Sequence, residues 1–446
     1  MILKQLGMKH YVRNTLLLLF LFLVSLNLKA QEAQKLTFSL KEAQEYALQN
    51  NLQRKNAALD VEIAKKKVWE TTAQGLPQVN AGVDFQMILN DLPKFSLPDQ
   101  NGGVTEIEVG EKANATYSIT ASQLIFSGPY IVGLQASKAY KNMSENALIK
   151  TDRDLKANVA SAYYTVLLIQ ETKAILDSSV TNLKQTWKET DAMFKAGLAD
   201  EVNANQVKVA LSLVENSANE TSRQLKSAEN LLKLSLGIEN GANITLTQKL
   251  DELVNEFDPN ITASSALDAN SNIDLRIMDN QIQLSKLQAK LEKSKFLPDL
   301  SAYVTYQRLH KEPLMNFTPT AIMGAKLTFP IFSSGMRLSK VSQTRMDLEK
   351  SVNNYNLTRQ NLEMELIDAT AQLTVSWEKY LSQKENKALA LKVYDNFKTK
   401  YTKGMASQQD IIQANDKYLQ AVGSYMSAIV ELFSAQIRLD KLTGKL

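Results

Sequence analysis

The chain repeats itself, and the repeat limits the folds open to it. "FKAGLADEVNANQVKVAL" at Phe194–Leu211 and "YTKGMASQQDIIQANDKYL" at Tyr401–Leu419 share one design. Each has an aromatic residue three before a glycine, a small apolar pair, Asp200 or Ser407, and then a new apolar-periodic run. Gly197 and Gly404 lie 207 residues apart, as do Gly128 and Gly335, and Gly237 and Gly444. Earlier, "GLPQVNAGVDFQ" at Gly75–Gln86 matches "FLPDLSAYVTYQ" at Phe296–Gln307 with an offset of 221. The offset therefore changes once, by 14 residues, between Pro77 and Gly128. The surplus of the first copy lies around Asp91–Lys112, whose Pro, Gly and Asn without periodicity read as a loop insertion. Self-similarity that keeps register elsewhere implies two copies of one architecture.

Each copy has the same order. A helix comes first, Leu52–Gln74 or Ile273–Phe296, and Pro77 or Pro298 stops it. Two strands follow, at about 78–90 and 112–126 in the first copy and about 299–310 and 318–331 in the second. A long helix then runs over about 129–195 or 336–403, a tip turn covers 196–200 or 404–407, and a returning helix spans 200–236 or 407–443. The expected domains are a signal peptide at 1–30, a first repeat at 31–240, a connector at 241–265 and a second repeat at 266–446.

The long helices are the unusual part. Only 9 prolines and 16 glycines punctuate 446 residues, which favours long elements. Pro129–Lys195 and Met336–Lys403 hold no internal proline, and Pro129 suits a first helical turn. At 1.5 Å per residue each would be ~100 Å long. Leu155, Val159, Ala162, Val166, Ile169, Leu176, Val180, Leu183 and Trp187 step by fours and threes as a heptad seam, with Lys173 as a polar break. Leu362, Leu366, Ala369 and Leu373 make a shorter seam. The two shorter helices of a copy, stacked end to end, sum to ~90 Å and match the long one beside them. A plain coiled-coil dimer explains the seam but not the strands.

The strands alternate. Val79, Ala81, Val83, Phe85, Met87 and Leu89 are apolar, and Asn80, Asp84 and Gln86 fall between them. Ala115, Tyr117, Ile119, Ala121 and Ile125 oppose Asn114, Thr116, Ser118, Thr120 and Ser122. Met323, Ala325, Leu327, Phe329 and Ile331 alternate likewise. Runs of roughly ten residues with this dyad pattern mark transmembrane barrel strands; a half-buried soluble sheet gives the same alternation. Four strands cannot close a barrel of useful bore, so several chains would share one.

The first residues carry Lys4, Lys9 and Arg13, the apolar run Leu16–Leu26, and Ala30 before Gln31, as in a secretory signal. An uncleaved anchor is the alternative. Without residues 1–30 the 51 basic residues fall to 47, against 47 acidic, so charge gives no support for a nucleic-acid partner. Cysteine is absent, which excludes disulfides and thiolate chemistry. Beyond the leader no apolar run reaches the ~18 residues of a membrane helix, so entry into a membrane would require a β-barrel.

In this order the chain resembles the TolC-like family of bacterial outer-membrane efflux proteins. The carriers are the opening "LTFSLKEAQEYALQNN" at Leu36–Asn51, the two "LP" steps into strands, the two "FSG"-type exits and the paired glycine turns. The resemblance implies a mainly α fold with a β-barrel part: a duplicated β-β-α-α repeat whose trimer forms a 12-stranded outer-membrane barrel continuous with a long periplasmic α-helical barrel. The connector would lie near the tunnel equator. The implied function is the outer-membrane exit duct of a tripartite efflux or secretion system. It would conduct passively once docked to a periplasmic membrane-fusion adaptor and an inner-membrane pump of RND or ABC type. The expected partners are thus two further copies, adaptor, pump and outer-membrane lipid. The alternative is a structural periplasmic coiled-coil or adhesion protein.

The paired turns would then be the periplasmic tip, with Gly197, Leu198, Ala199, Asp200, Gly404, Met405, Ala406 and Ser407 docking the adaptor. The glycines suit the left-handed conformation that ends a helix, and Asp200 and Ser407 suit N-caps. The resemblance also assigns Tyr401 and Asp410, with Asn203 at the place of Asp410 in the first copy, to a pore constriction. Three copies of Asp410 would form an acidic ring. Equally, Asp410 suits a helix N-terminus on its own account. Ala406 and Gln413 stand where some relatives carry gating charges, which argues against a salt-bridge latch. No catalytic constellation, cofactor or metal site is expected: the histidines are His10 and His310, and no phosphate loop occurs.

Overall fold

The computed structural model describes residues 36–98, 103–239, 241–255, 268, 270–312, 316 and 318–446. The expected secretory segment, 1–30, lies outside them. The first copy contributes β1 (Leu36–Phe38), α1 (Leu40–Asn50), α2 (Leu52–Ala73), β2 (Gln78–Met87), β3 (Lys94–Pro98), β4 (Val104–Glu108), β5 (Ala113–Ser127), α3 (Gly128–Lys195) and α4 (Glu201–Leu236). After it come β6 (Ile244–Leu246), α5 (Leu250–Asn255), α6 (Ile273–Ser294), β7 (Asp299–Leu309), β8 (Ala321–Thr328), α7 (Met336–Thr402) and α8 (Gln408–Thr443).

Three details depart from expectation. The surplus at Asp91–Lys112 is a hairpin, not a loop: β3 pairs antiparallel with β4, from Lys94 opposite Glu108 to Pro98 opposite Val104. The strand expected at 318–331 is shorter. Phe329 and Ile331 fall beyond Thr328, flanking Pro330, which has no N–H to give a ladder. A bulge between Leu124 and Phe126 leaves Ile125 out of register with β7, so the regular alternation of β5 runs only to Leu124. The opening stretch, outside the elements expected above, holds β1 and α1. There "SLKE" forms a capping box, with Ser39 N–H donating to Glu42 Oε2 at 2.8 Å and Glu42 N–H to Ser39 Oγ at 3.4 Å.

The chain folds into two compact units, each drawn from both copies. One comprises Met1–Leu52, Leu155–Ala263 and Gln372–Ile437. In it β1 pairs parallel with β6, and the buried Tyr163 hydroxyl donates to the Phe38 carbonyl at 3.0 Å. The α3 seam lies here. Leu155, Val159, Ala162, Val166 and Leu183 are buried, and Ile169, Leu176, Val180 and Trp187 half-buried. Leu183 packs with Leu211 and Val214 of α4 and with Leu419 of α8. Tyr394 of α7 packs with Ile411 and Ala414 of α8, flanked by Phe397, Tyr401 and Tyr418.

The other unit comprises Gln53–Asp154, Ser264–Ala371 and Arg438–Leu446. Its sheet has the antiparallel order β2-β5-β7-β8, so the two copies meet where β5 pairs with β7. Among the described residues neither β2 nor β8 has a partner on its outer edge. One face carries rows such as Val79–Ala121–Val304–Met323 and Ala81–Ile119–Tyr306–Ala321. The other carries Asn80–Thr120–Thr305–Ile322 and Gly82–Ser118–Gln307. The apolar side chains are mostly exposed, Val79 at 69% and Met323 at 83%. A sheet that exposes its apolar face in this way is suited to lipid.

The repeat extends to single hydrogen bonds. Asn51 Nδ2 donates to the Ser235 carbonyl at 2.9 Å, and Asn272 Nδ2 to the Leu442 carbonyl at 3.2 Å. In both copies the asparagine ahead of the short helix thus satisfies a carbonyl in the last turn of the returning helix, which has no intrahelical donor. Among the described residues no helix is long and apolar enough to cross a membrane.

Candidate functional site

Both tip turns lie in the first unit and have the same hydrogen-bond pattern. After α3, Gly197 N–H donates to the Phe194 carbonyl at 2.9 Å and Leu198 N–H to Met193 at 2.8 Å. After α7, Gly404 N–H donates to Tyr401 at 2.9 Å and Met405 N–H to Lys400 at 2.8 Å. The glycines sit at φ 73° and 72°, the left-handed region that makes this pair of hydrogen bonds possible and disfavours a Cβ. Leu198 is 80% exposed and Met405 65%, while Ala199 and Ala406 are half-buried. Each turn therefore presents one large apolar side chain to solvent.

The returning helices begin differently. Asp200 caps α4, its carboxylate accepting from Val202 N–H at 3.4 Å. Ser407 caps α8 through a box with Asp410: Asp410 Oδ2 accepts from Ser407 N–H at 2.9 Å and Oγ at 2.7 Å, and Asp410 N–H donates to Ser407 Oγ at 3.2 Å. The Ser407 hydroxyl, and then its backbone N–H, hold the Asp410 carboxyl below the usual aspartate value. The Asp410 carboxylate is thus engaged in the box that starts α8. Asn203, its counterpart, is half-buried in the first turn of α4, with its N–H on the Asp200 carbonyl at 3.1 Å.

Tyr401 stands near the C-terminal end of α7. Its ring packs beside Tyr394 and Ile411, and its hydroxyl lies 2.9 Å from Thr190 Oγ1 on α3. The first tip is thereby tied to the second. Deeper in the same unit Ser179 Oγ donates to Asn415 Oδ1 at 2.8 Å, joining α3 to α8. Lys398 Nζ donates to Asn182 Oδ1 at 2.8 Å, joining α7 to α3. Beside the tips, α4 and α8 border a cavity of ≈ 460 Å³ lined by Val202, Val209, Leu213 and Ile412 among others. Val202, Val209 and Leu213 are more than half exposed there.

Thr190 and Asn415 were missed in the sequence, though both left a signal. Thr190 continues the seam three residues after Trp187, and Asn415 interrupts the buried positions Ile411 and Ala414 and the half-buried Tyr418. A polar residue on an apolar stripe marks a specific partner. Among the described residues no group of three or more His, Cys, Asp or Glu is placed to hold a metal.

The family model described as "Outer membrane efflux protein" matches residues 44–238 and 264–445. The cobalt-zinc-cadmium resistance protein CzcC of Cupriavidus metallidurans is 22% identical over 317 residues, covering 70% of this chain and 73% of its own. The CmeC outer membrane channel of Campylobacter jejuni superposes with a TM-score of 0.71 at 17% identity, over 91% of this chain and 85% of its own. The outer membrane protein VceC of Vibrio cholerae gives 0.69 at 16% identity, over 91% of this chain and 96% of its own. These likenesses establish the mainly helical, TolC-like fold.

Proposed function

Because the chain belongs to the outer membrane efflux protein family, we propose that it works as the passive outer-membrane exit duct of a tripartite efflux or secretion assembly. One observation carries the mechanism. The four-stranded sheet has an exposed apolar face, a polar face and two unpaired edges among the described residues. Since β8 runs antiparallel to β7, and β2 parallel to it, β8 of one copy can pair antiparallel with β2 of the next. Three copies then close a 12-stranded barrel with lipid outside and water inside, and satisfy every edge group, as a bilayer requires.

The rest of the reading concerns the tips. Leu198 and Met405, each held out by a rigid turn, are apolar anchors for the hairpins of a periplasmic adaptor, which connects the duct to an inner-membrane pump. Energy comes from that pump, whether of RND or ABC type. A wide polar lumen discriminates little, so the cargo follows the pump; the metals in the name of CzcC are one cargo class of this kind. Tyr401 holds the tips together on this reading, and Asp410 and Asn203 set how the returning helices start beside the opening. Residues 1–30 act as the export signal.

A photo-reactive residue at position 198 or 405, placed in cells of the native host, tests the docking. Capture of a periplasmic adaptor supports the reading and identifies the pump through it. Outer-membrane protein that captures no adaptor from either position contradicts the tip assignment.

A further inference from the structure

On the apolar face of the sheet one residue breaks the pattern. Val83, Tyr117 and Arg308 form one cross-strand row, next to Ala81, Ile119 and Tyr306. Among the described residues of that face Arg308 is the one charged side chain. It is exposed, and no carboxylate among the described residues pairs with it. Together these rows line a cavity of ≈ 510 Å³.

Its height on the sheet is informative. Arg308 stands nine residues beyond Asp299, where β7 leaves the helical part of the unit. At about 3.4 Å per residue and about 40° of tilt that is a climb of roughly 23 Å, against an apolar band about 25 Å tall in outer-membrane barrels. Arg308 is therefore at the far rim of the band, where a lipid-facing charge is tolerated, and not at mid-depth, where it is costly. Tyr117 and Tyr306 flank it, 46% and 53% exposed, as amphipathic rings do at an interface. His310 sets its ring edge-on to Tyr117 at 6.1 Å. The strand ends nearby carry Lys112 and Lys311 but also Glu111 and Glu312, so the rim has no broad positive field. What distinguishes the place is one unpaired guanidinium between two tyrosines, a fork whose geometry matches phosphate oxygens.

We infer that Arg308, Tyr117 and Tyr306 hold the phosphate of an anionic lipid of the outer leaflet, with its acyl chain lying along Val83 and Ile119. The site rests on the reading of this sheet as part of an outer-membrane barrel.

The test uses the full-length protein in mild detergent, incubated with phosphorylated lipid A or its dephosphorylated form and read by native mass spectrometry. Wild-type protein is expected to retain the phosphorylated form by about tenfold over the other. Arg308→Gln should remove that preference, and Arg308→Lys should keep part of it. Equal retention of both lipids by wild-type protein overturns the site, and needs no variant to fold. An unchanged preference in Arg308→Gln overturns it too, as does full displacement of the lipid by inorganic phosphate alone. Wild-type protein that never inserts into bilayers contradicts the barrel reading itself; inserted protein without lipid preference contradicts this site alone.

Discussion

The Tyr401 hydroxyl donates to Thr190 Oγ1 across 2.9 Å, a direction fixed because the single Thr190 proton already goes to the Thr186 carbonyl at 2.9 Å. Thr190 is fully buried, so the pair ties α7 to α3 one to two turns short of the exposed tips without any charge. A neutral tie of this kind does not weaken with salt, unlike a surface ion pair.

Tyr401→Phe should cost about 1 kcal/mol of stability, the net value of one such bond. In a double-mutant cycle with Thr190→Val the two changes should be non-additive by a similar amount. Thermal unfolding of the four proteins measures it; strict additivity would show that the contact contributes nothing. If the tie also keeps the tips together, both single variants should admit large antibiotics into cells more readily than wild type.

Gly197→Ala and Gly404→Ala should each destabilise by about 1–2 kcal/mol, because a Cβ is disfavoured at positive φ. Gly133 in α3 and Gly423 in α8 are the controls. A Cβ there meets nothing within 4 Å, so alanine should stabilise by about 0.5–1 kcal/mol. Opposite signs in the two pairs are the expected melting result.

Asp410 gives a pH signature. Its folded pKa lies below the ordinary 3.8, so the cap contributes fully above that value and is lost as pH falls through the depressed folded value. Asp410→Asn should therefore be less stable than wild type at neutral pH, and the gap should close in acid. Melting curves from pH 7 down to about 2 follow it; a gap that is constant with pH would show that the carboxylate charge plays no part.

Asn415 is almost fully buried, and its Nδ2 has no partner among the described residues, while its Oδ1 accepts from Ser179. Ser179→Ala should cost about 1–3 kcal/mol by leaving that oxygen unsatisfied as well. Ser179→Ala with Asn415→Leu should recover most of the loss, since an apolar pair leaves nothing unsatisfied. Denaturant unfolding of the single and double variants compares them.

The sequence revealed what periodicity and punctuation encode. The offset of 207 between Gly197 and Gly404 returns as two turns with the same hydrogen bonds, and the alternation of Val79 to Met87 returns as one face of β2. Local chemistry sufficed for these because a left-handed glycine and a dyad pattern each admit few structures. What stayed hidden depends on distant partners. The β3–β4 hairpin has too few residues to set a period, and the bulge at Ile125 shows only when β5 meets β7. Nothing near Tyr401 in the chain names Thr190, 211 residues away. Nothing next to Arg308 in the chain marks it; only the register of β7 with β5 puts it in the row of Tyr117 and Val83.

The account depends most on closure of the barrel, since four strands with two open edges cannot span a membrane alone. Native mass spectrometry of the protein extracted from outer membranes tests it directly. A mass of three chains, retained until heating and then falling to one, is the predicted result. A stable single chain, or any other stoichiometry in protein that is fully inserted, would contradict it.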